Sequence, residues 1–401
     1  MSSMDFLGKL LDGVTVEWKP LGEVSSIKTG QSVNKQMISA NPGEYPVINS
    51  GREPLGFIDE WNTDNDPIGI TSRGAGVGSV TWQPGKYFRG NLNYSVTIKN
   101  GQLVSTRYLY HLLLEMQPEI QSLCTYDGIP ALNAGNLKEL PVPIPCPDNP
   151  KKSLEIQAEI VRILDSFTEL TAELTAELTA RKKQYNYYRD KLLSFEDGEV
   201  EWRTLGEVAN IQRGASPRPI AKYITDDEDG VPWIKIGDTS PGSKYVNSTA
   251  QKITLEGAEK SRVLNVGDFI MSNSMSFGRP YILGIRGAIH DGWASISGFR
   301  ETLRSDYLYH YLSSNGVQNY WAGKINSGSV SNLNADIIKT LPVPIPDLVV
   351  QDRIASILDK FDALTNSITE GLPREIELRQ KQYEHYRNLL LSFPRPGSAE
   401  A

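Results

Sequence analysis

The chain has few cysteines and few histidines, and both scarcities limit its chemistry. Cys124 and Cys146 are the only cysteines among 401 residues, so cysteine alone can build neither a disulfide framework nor a zinc site. We therefore expect no bound metal and a reducing, cytoplasmic location. His111 and His310 occupy matching positions in two similar segments, where a packing or hydrogen-bonding role is predicted rather than catalysis. The four histidines show no metal-ligand spacing and are His111, His290, His310 and His385.

Long apolar runs and net positive charge are also missing. No stretch of about 18 apolar residues is present, and the first residues lack the apolar core of a signal peptide, so we expect no membrane partner. The formal net charge is −7, which argues against a protein that holds nucleic acid by bulk charge. Any DNA contact would depend on local basic patches, base contacts or partners that carry the positive surface.

Recognisable catalytic motifs are absent as well. The stretch Arg73-Gly-Ala-Gly-Val-Gly-Ser79 lacks the lysine of a P-loop and is interpreted as a tight turn between strands. The Asn-Pro-Pro and Asp-Pro-Pro motifs of adenine methyltransferases do not occur. Asp12 with Glu17-Trp-Lys19 mimics a nuclease triad, but the second copy of this motif is Glu201-Trp-Arg203. The sequence therefore predicts a chain that is not itself an enzyme.

The most informative feature present is an internal repeat. Five motifs recur in the same order, so the chain holds two copies of a unit of roughly 190 residues, too long a period for a solenoid. This repeat predicts two similar domains, each followed by a helix. The motif pairs are Val16-Glu-Trp18 and Val200-Glu-Trp202, Tyr108-Leu-Tyr-His111 and Tyr307-Leu-Tyr-His310, Leu140-Pro-Val-Pro-Ile-Pro145 and Leu341-Pro-Val-Pro-Ile-Pro346, Ile163-Leu-Asp165 and Ile357-Leu-Asp359, and Lys183-Gln-Tyr185 and Lys381-Gln-Tyr383.

Residues 153–195 have the sequence of one long helix. They lack glycine and proline, and Thr-Ala-Glu-Leu occurs twice in succession, at Thr171 to Leu174 and Thr175 to Leu178. Apolar residues alternate at spacings of four and three, as in a coiled coil, with one four-residue stutter in the repeat region. Such a helix would be roughly 60 Å long. It predicts either an interdomain helix that buries its apolar stripe on a neighbour or a ruler between two domains.

A second helix follows the second domain, and its seam runs from Ile354 to Phe393. Gly371-Leu-Pro373 predicts a break there and a restart near Arg374, since proline is tolerated only in a first helical turn. The Leu-Pro-Val-Pro-Ile-Pro runs should be extended connectors. Strands are predicted at 46–48, 67–70, 232–236 and 267–271, and short amphipathic helices at 108–116 and 307–312.

These motifs together resemble the specificity subunit of type I restriction–modification enzymes, and the Thr-Ala-Glu-Leu repeats resemble the type IC subgroup. The turn from Ser72 to Gly78 fits the family's usual pattern, whereas its counterpart from Ser274 to Gly278 departs from it. The resemblance implies an α+β fold with two target-recognition domains separated by two long antiparallel coiled-coil helices, in a pseudo-twofold tandem repeat. The implied segments are a first domain at 1–150, a central helix at 151–198, a second domain at 199–346, and a distal helix with the C-terminal tail at 347–401.

The resemblance also implies a function and partners. The chain would recognise a bipartite double-stranded DNA target with an unread spacer. It would assemble with two modification subunits, which methylate adenine, and with two restriction subunits, which are ATP-driven motor-nucleases. The chain would bind no cofactor itself, because S-adenosylmethionine, ATP and Mg would be used by the partners. Two alternatives remain: a scaffold that binds only proteins through two domains on a coiled coil, and a stand-alone enzyme.

Candidate site residues follow from the chemistry of DNA readout, which favours Arg, Lys, Asn and Gln on loops. We expect helices of the modification subunits to extend the paired helices into a bundle, and aspartate at Leu192 and Leu390 to abolish assembly while both domains stay folded. The candidate base readers are Arg52, Arg73, Arg89 and Asn93 in the first domain and Arg213, Arg218, Lys235 and Arg279 in the second. The candidate subunit-interface residues are Tyr187, Tyr188, Leu192, Tyr383, Tyr386 and Leu390.

Overall fold

The computed structural model of the chain describes residues 14–51, 53–196, 198–240, 242–272, 278–326, 333–367 and 369–394. It divides into two compact units, and the division falls inside the helices rather than between the repeats. The first unit joins Met1–Thr171 to Arg379–Ala401, and the second unit is Ala172–Leu378. Each unit therefore takes the end of a long helix that follows the other repeat in sequence.

The first unit is built from two small sheets with short helices around them. One sheet has the strand order β2-β9-β6-β7 and the other β4-β3-β8-β5, in which β3 and β8 run parallel. Its strands are β1 (Val16–Pro20), β2 (Ser25–Thr29), β3 (Pro42–Ile48), β4 (Phe57–Ile58), β5 (Thr63–Asp64), β6 (Ile68–Thr71), β7 (Val80–Trp82), β8 (Lys86–Arg89), β9 (Asn93–Ile98), β10 (Cys124–Thr125), β11 (Ala131–Leu132) and β12 (Pro141–Pro145). Its short helices are α1 (Leu21–Val24), α2 (Lys35–Ala40), α3 (Thr106–Glu115), α4 (Gln117–Ser122) and α5 (Ala134–Lys138).

The second unit repeats this plan with larger sheets, β14-β23-β20-β21-β17 and β15-β18-β16-β22-β19. Strand β17 extends the first of these sheets beyond the position where the first unit's sheet ends. Its strands are β13 (Glu201–Thr204), β14 (Asn210–Arg213), β15 (Ile224–Thr225), β16 (Val231–Ile234), β17 (Tyr245–Val246), β18 (Gln251–Ile253), β19 (Arg262–Leu264), β20 (Phe269–Ser272), β21 (Pro280–Leu283), β22 (Gly287–Ile289), β23 (Trp293–Ser297) and β24 (Pro342–Ile345). Its short helices are α7 (Leu205–Val208), α8 (Leu255–Glu259), α9 (Ser305–Leu312), α10 (Asn315–Asn326) and α11 (Ala335–Lys339).

The proline-rich runs are extended, as predicted, and each pairs with the repeated Val-Glu-Trp motif of its own unit. Strand β12 pairs antiparallel with β1, with Trp18 opposite Pro143, and β24 pairs with β13, with Trp202 opposite Pro344. Prolines at alternate positions place every missing N–H on one edge of the strand, so the other edge can still pair. The two repeated motifs thus form one two-stranded ribbon in each unit.

The central helix α6 (Pro150–Leu192) is continuous over 43 residues. Its first turns belong to the first unit, where Ile156, Ile160 and Leu164 are buried in the core. Its last turns belong to the second unit, where Tyr185 is buried. Burying each such side chain stabilises a unit by about 1.5–3 kcal/mol, so packing at both ends adds to the high helix propensity of the Thr-Ala-Glu-Leu segment.

The distal segment is broken where the sequence predicts it. Helix α12 (Leu348–Asn366) ends, and helix α13 (Gly371–Leu391) begins at Gly371 rather than near Arg374, so that Pro373 falls in the first turn. Gly371 has a φ of +77°. A Cβ at this residue would lie 2.4 Å from the carbonyl oxygen of Ala363. A conformation available to glycine therefore fixes the break.

Within each unit the helix ends meet in the order expected of an antiparallel pair. In the first unit Phe167 of α6 stacks on Tyr386 of α13, with ring centroids 5.2 Å apart. In the second unit Tyr185 of α6 stacks on Phe361 of α12, with centroids 6.3 Å apart. The start of α6 thus meets the end of the distal segment, and the end of α6 meets its beginning.

Candidate nucleic-acid interface and the junctions beneath it

Arg89 and Asn93 are buried in the first unit, with 3% and 0% of their surfaces exposed. The Arg89 guanidinium donates from Nη1 to Asn93 Oδ1 at 2.6 Å and to the carbonyl oxygen of Ile68 at 3.2 Å. It also donates to the hydroxyl of Tyr87, and burial lowers the pKa of Arg89. Both side chains therefore stabilise the fold from within, and their burial contradicts the surface location on which their predicted role as base readers depended.

Arg73 is exposed beside the glycine-rich turn. The stretch is the tight turn that the sequence predicts, with φ values of +97° at Gly74 and +77° at Gly78. An isolated antiparallel β-bridge pairs the backbone of Arg73 with that of Ala131 and so connects the turn to the β10–β11 hairpin. The location leaves Arg73 available to a ligand, whereas Arg52 lies outside the described residues.

Arg213 and Arg218 lie together in the second unit, around Asp291. Arg213 donates from Nε to the carbonyl oxygen of Asp291 at 3.0 Å, and Arg218 Nη2 lies 3.7 Å from its carboxylate. His290 Nε2 is 3.1 Å from the same carboxylate, which accepts a hydrogen bond from Ser216 at 2.9 Å. Burial alone would raise the pKa of Asp291, but the Ser216 hydrogen bond and the nearby His290 and Arg213 hold it below its usual range. The carboxylate therefore stays charged and orients the cations around it.

The other two candidates in the second unit lie in different surroundings. Lys235 donates from Nζ to Gln251 Oε1 at 2.8 Å. Arg279 lies 5.5 Å from the centre of the Tyr281 ring and lines a cavity with Tyr185 of the central helix. The structure thus groups Arg213 with Arg218 but places Arg279 next to the long helices.

The interface candidates of the central helix are partly accessible. Tyr187 is 61% exposed and Tyr188 is 38% exposed. Tyr188 also stacks on Phe361 at 5.6 Å, and Leu192 packs against the core of the second unit. Tyr187 therefore presents the largest free apolar surface of this group.

The three candidates of the distal helix have structural roles in the first unit. Tyr386 stacks on Phe167, Tyr383 bonds to His111, and Leu390 is 2% exposed. Leu390 packs in the same core as Ile156 and Leu391. The burial of Leu390 argues against the expectation that aspartate there would leave both domains folded, because a buried carboxylate without a partner costs several kcal/mol.

A hydrogen-bond network connects α13 to the rest of the first unit. His111 Nε2 is 2.8 Å from Asp165 at the start of α6, and His111 Nδ1 is 3.1 Å from the Tyr383 hydroxyl. Arg107 completes the junction, with Nε 2.8 Å and 3.1 Å from the two Asp165 oxygens. Three elements that are distant in sequence, α3, α6 and α13, thus meet at one buried histidine.

The pKa shifts in this junction favour a neutral histidine beside a charged carboxylate. Burial lowers the pKa of His111. Burial alone would raise the pKa of Asp165, but hydrogen bonds from Arg107 and His111 outweigh this effect and hold it below its usual range. The network is therefore satisfied when Nε2–H donates to Asp165 and Nδ1 accepts the Tyr383 proton.

The second unit contains an equivalent hydrogen-bond network, formed with the C-terminal part of α6 and with α12. His310 Nε2 is 2.7 Å from Asp359, and His310 Nδ1 is 3.0 Å from the hydroxyl of Tyr185. The cation, however, comes from a different element. Asp306 stands where the first copy has Arg107, and Lys244 lies 2.6 Å from both Asp306 and Asp359.

Lys244 immediately precedes β17, the strand that the second sheet adds. Burial lowers its pKa, but the hydrogen bonds to Asp306 and Asp359 outweigh this effect, so the pKa is raised overall. Each junction therefore keeps one cation, although the sequence position that supplies it differs. The sequence signal for both junctions was the repeat itself, because three of its five motifs supply the histidine, the aspartate and the tyrosine.

The part of the chain that the structure describes shows no cluster of three or more His, Cys, Asp or Glu side chains suited to a metal ion. In the same residues no helix is long and apolar enough to span a membrane. The junction histidines are engaged in the packing and hydrogen bonding that the sequence predicts for them.

Comparison with known proteins gives a consistent family. The sequence matches the "Type I restriction modification DNA specificity domain" twice, over residues 14–181 and 198–378. It is 38% identical over 413 residues to the EcoR124I/EcoR124II specificity subunit of Escherichia coli, covering 99% of each chain. A putative type I restriction enzyme specificity subunit of Haemophilus influenzae is 34% identical over 404 residues, covering 97% of this chain and 98% of that protein.

The fold has solved counterparts at low sequence identity. The S subunit of a type I restriction–modification system from M. genitalium has a TM-score of 0.63 at 17% identity, covering 96% of this chain and 98% of that one. A chain from a structural study of the assembly of a type I system has a TM-score of 0.59 at 14% identity, with 94% and 98% covered. With two matched domains and relatives of nearly its full length, this chain belongs to the specificity subunits of type I restriction–modification systems.

Proposed function

We propose that this subunit reads a bipartite DNA target, one half-site with each unit, and that its long helix sets the length of the unread spacer. The observation that carries the proposal is that both units repeat one α+β plan and that two helices, the 43-residue α6 and α13, cross the division between them. Equivalent Tyr–His–Asp junctions fasten each domain to the helix pair. Two similar readers connected by a pair of helices suit two sequences at a fixed separation.

The spacer length follows from DNA geometry. Two domains that read the same face of a duplex prefer major-groove positions about one turn apart, roughly 34–36 Å or ~10 base pairs. If each half-site has about three or four pairs, the spacer is about six or seven pairs. A continuous α6 is the element able to hold such a distance.

Catalysis would come from partners in this proposal. Two modification subunits would bring S-adenosylmethionine and methylate adenine, and two restriction subunits would bring ATP- and Mg-dependent cleavage, all in the cytoplasm. The exposed ring of Tyr187 supports docking of a partner helix along the pair. The net charge of −7 fits an assembly in which the modification subunits supply much of the positive surface around the DNA.

The test is to combine the chain with its modification partner and measure retention of duplex DNA against salt, then map methylated adenines in a strain that carries both. Methylation at one split sequence with a constant spacer is expected. Salt-dependent retention without sequence preference would contradict the proposed recognition. Partner binding without any retention of DNA would instead favour a scaffold that binds only proteins.

A further inference from the structure

One backbone arrangement occurs at the same place in both units, where the two sheets of a unit meet. In the first unit Gly30 N donates to Asn93 O at 3.3 Å, and Gln31 N donates to Arg89 O at 3.0 Å. This contact joins the end of β2 to the β8–β9 turn. A Cβ at Gly30 would lie 2.3 Å from the carbonyl oxygen of Arg89, so the close approach requires glycine.

The second unit makes the same two bonds at the end of β14. Gly214 N donates to Trp293 O at 2.8 Å, and Ala215 N donates to Ile289 O at 3.3 Å. A Cβ at Gly214 would lie 2.1 Å from the carbonyl oxygen of His290. We call this shared arrangement the sheet crossing, formed by 29–31 with 89–93 in the first unit and by 213–215 with 289–293 in the second.

The side chains around the two sheet crossings differ although the backbone is shared. The first unit exposes two amides, Gln31 and Asn91. The second unit presents an exposed Arg213 and a His290 whose side chain is 41% exposed. Arg213 stands at the position of Thr29 in the first copy. A surface with two amides in one unit is thus replaced by a surface with a guanidinium and an imidazole in the other.

Hydrogen bonds from neighbouring side chains support the backbone of both sheet crossings. In the first unit Asn62 Oδ1 accepts from Arg89 N at 2.7 Å, and Asn49 Oδ1 accepts from Leu92 N at 2.9 Å. In the second unit the Asp291 carboxylate accepts a hydrogen bond from the Ser216 hydroxyl, and the Asp291 carbonyl oxygen accepts one from Arg213 Nε. A side chain that reads bases needs such support, because recognition requires it to be held within about 0.5 Å of its productive geometry.

The exposed groups have the chemistry of base readout. The Gln31 oxygen accepts weakly from Asn62 Nδ2 at 3.4 Å, which directs its amide donors away from Asn62. Arg213 uses Nε for its hydrogen bond inside the unit, so its Nη groups remain to donate to a ligand. Amides pair with the adenine edge and guanidinium groups pair with the guanine edge in the major groove.

We propose that the sheet crossing is the base-reading surface of each domain, with Gln31 and Asn91 reading the first half-site and Arg213 the second. This inference rests on the proposed bipartite recognition and adds the residues that determine specificity. It explains why two domains of one chain keep the same backbone here and change the polar side chains, since they read different sequences. Gln31 and Asn91 had no distinctive sequence signal, because their shared location depends on long-range pairing.

The test uses the complete complex with its modification subunit, and three single alanine variants at Gln31, Asn91 and Arg213. Methylated adenines are mapped for each variant, and affinity is measured for the wild-type target and for targets changed at one position. We expect each variant to lose roughly 5- to 150-fold in affinity and to relax one position of its own half-site. The other half-site and the spacer should be unchanged. Matched controls are Asn136→Ala and Lys339→Ala, exposed polar residues on α5 and α11, which should leave the methylation map intact.

Three results separate the possibilities. If the wild-type complex shows no sequence preference, the proposed function fails before this inference is reached. If the wild type is specific and the three variants keep its methylation map and affinity, the sheet crossing is not the reading surface. If Arg213→Ala weakens all targets equally and lowers the salt dependence, Arg213 binds phosphate and its assignment as a reader is overturned. Arg213→Lys keeps the charge but removes the planar fork, so a base reader should lose selectivity while keeping salt dependence.

Discussion

The hydroxyl of Tyr383 lies 3.1 Å from Nδ1 of His111, across 272 positions of the sequence. The equivalent pair, Tyr185 and His310, lies 3.0 Å apart across 125 positions. Each tyrosine comes from the helix end that follows the other repeat. The two halves of the chain therefore complete each other, since neither repeat contains its own full junction.

Removing the Tyr383 hydroxyl should loosen the first unit. Tyr383→Phe keeps the ring but leaves His111 Nδ1 without its donor, which should cost about 0.5–1.5 kcal/mol of local stability. Hydrogen exchange of α3 and α13 measures this cost. Tyr386→Phe is the matched control, because that residue acts through ring stacking on Phe167, and its exchange pattern should match wild type. Equal protection in Tyr383→Phe and wild type would show that the junction contributes nothing to the packing.

The stability of the first unit should fall as the pH falls below neutrality. Burial lowers the pKa of His111, so the unfolded chain binds more protons than the folded one once the pH drops below about 6.5, and folding is disfavoured. Asp165, whose pKa is also lowered, adds a further loss below about pH 4. Hydrogen exchange between about pH 5 and 7 resolves the first effect. His111→Gln should flatten the slope in that window, and a slope unchanged by this substitution would place its origin elsewhere.

Aspartate at Leu390 and at Tyr187 should have opposite consequences. Leu390 is 2% exposed in the first unit, so Leu390→Asp should destabilise that unit by about 3 kcal/mol or more. Tyr187 is 61% exposed, so Tyr187→Asp should leave the fold intact and weaken assembly with the modification subunit. Circular dichroism melting and size-exclusion of the mixed subunits separate the two effects. Normal assembly of Tyr187→Asp would move the docking surface away from this part of α6.

Alanine at Gly371 should disrupt the break between α12 and α13. The new Cβ would meet the carbonyl oxygens of Ala363 at 2.4 Å and Leu364 at 2.7 Å at a positive φ, so the cost should exceed about 2 kcal/mol. Gly298 has a similar φ of +71°, but its Cβ would have no neighbour closer than 3.9 Å, so Gly298→Ala should cost only about 1–2 kcal/mol. Chemical denaturation, monitored by hydrogen exchange of the second unit, compares the stability of the two variants. Equal costs would mean that the close approach at Gly371 is relieved by a small shift.

Local sequence patterns predicted the elements whose causes are local. The Thr-Ala-Glu-Leu segment is helical because of its propensity and seam, and the break at Gly371 follows from one glycine and one proline. The prolines of 140–145 predicted an extended run, because they remove N–H groups at alternate positions.

The features that the sequence did not predict depend on contacts between residues distant in the chain. Arg89 resembled a surface reader, and its burial depends on the folding of β6 and β9 around it. The replacement of Arg107 by Lys244 required an added strand, β17, that brings the lysine to the junction from 62 positions before Asp306. Side-chain type alone could not distinguish such structural cations from cations that face a ligand.

The ruler is tested most directly by inserting one Thr-Ala-Glu-Leu unit after Leu178 and mapping the methylated adenines genome-wide. The insertion lengthens α6 by ~6 Å and turns it by a net ~40°, and DNA advances ~3.4 Å per base pair along one strand. Both half-sites should stay the same while the spacer grows by about one or two base pairs. Insertions of two or three residues should rotate the apolar stripe off its partner and abolish activity. Changed half-sites, or an unchanged spacer, would contradict the claim that α6 sets the distance between the two readers.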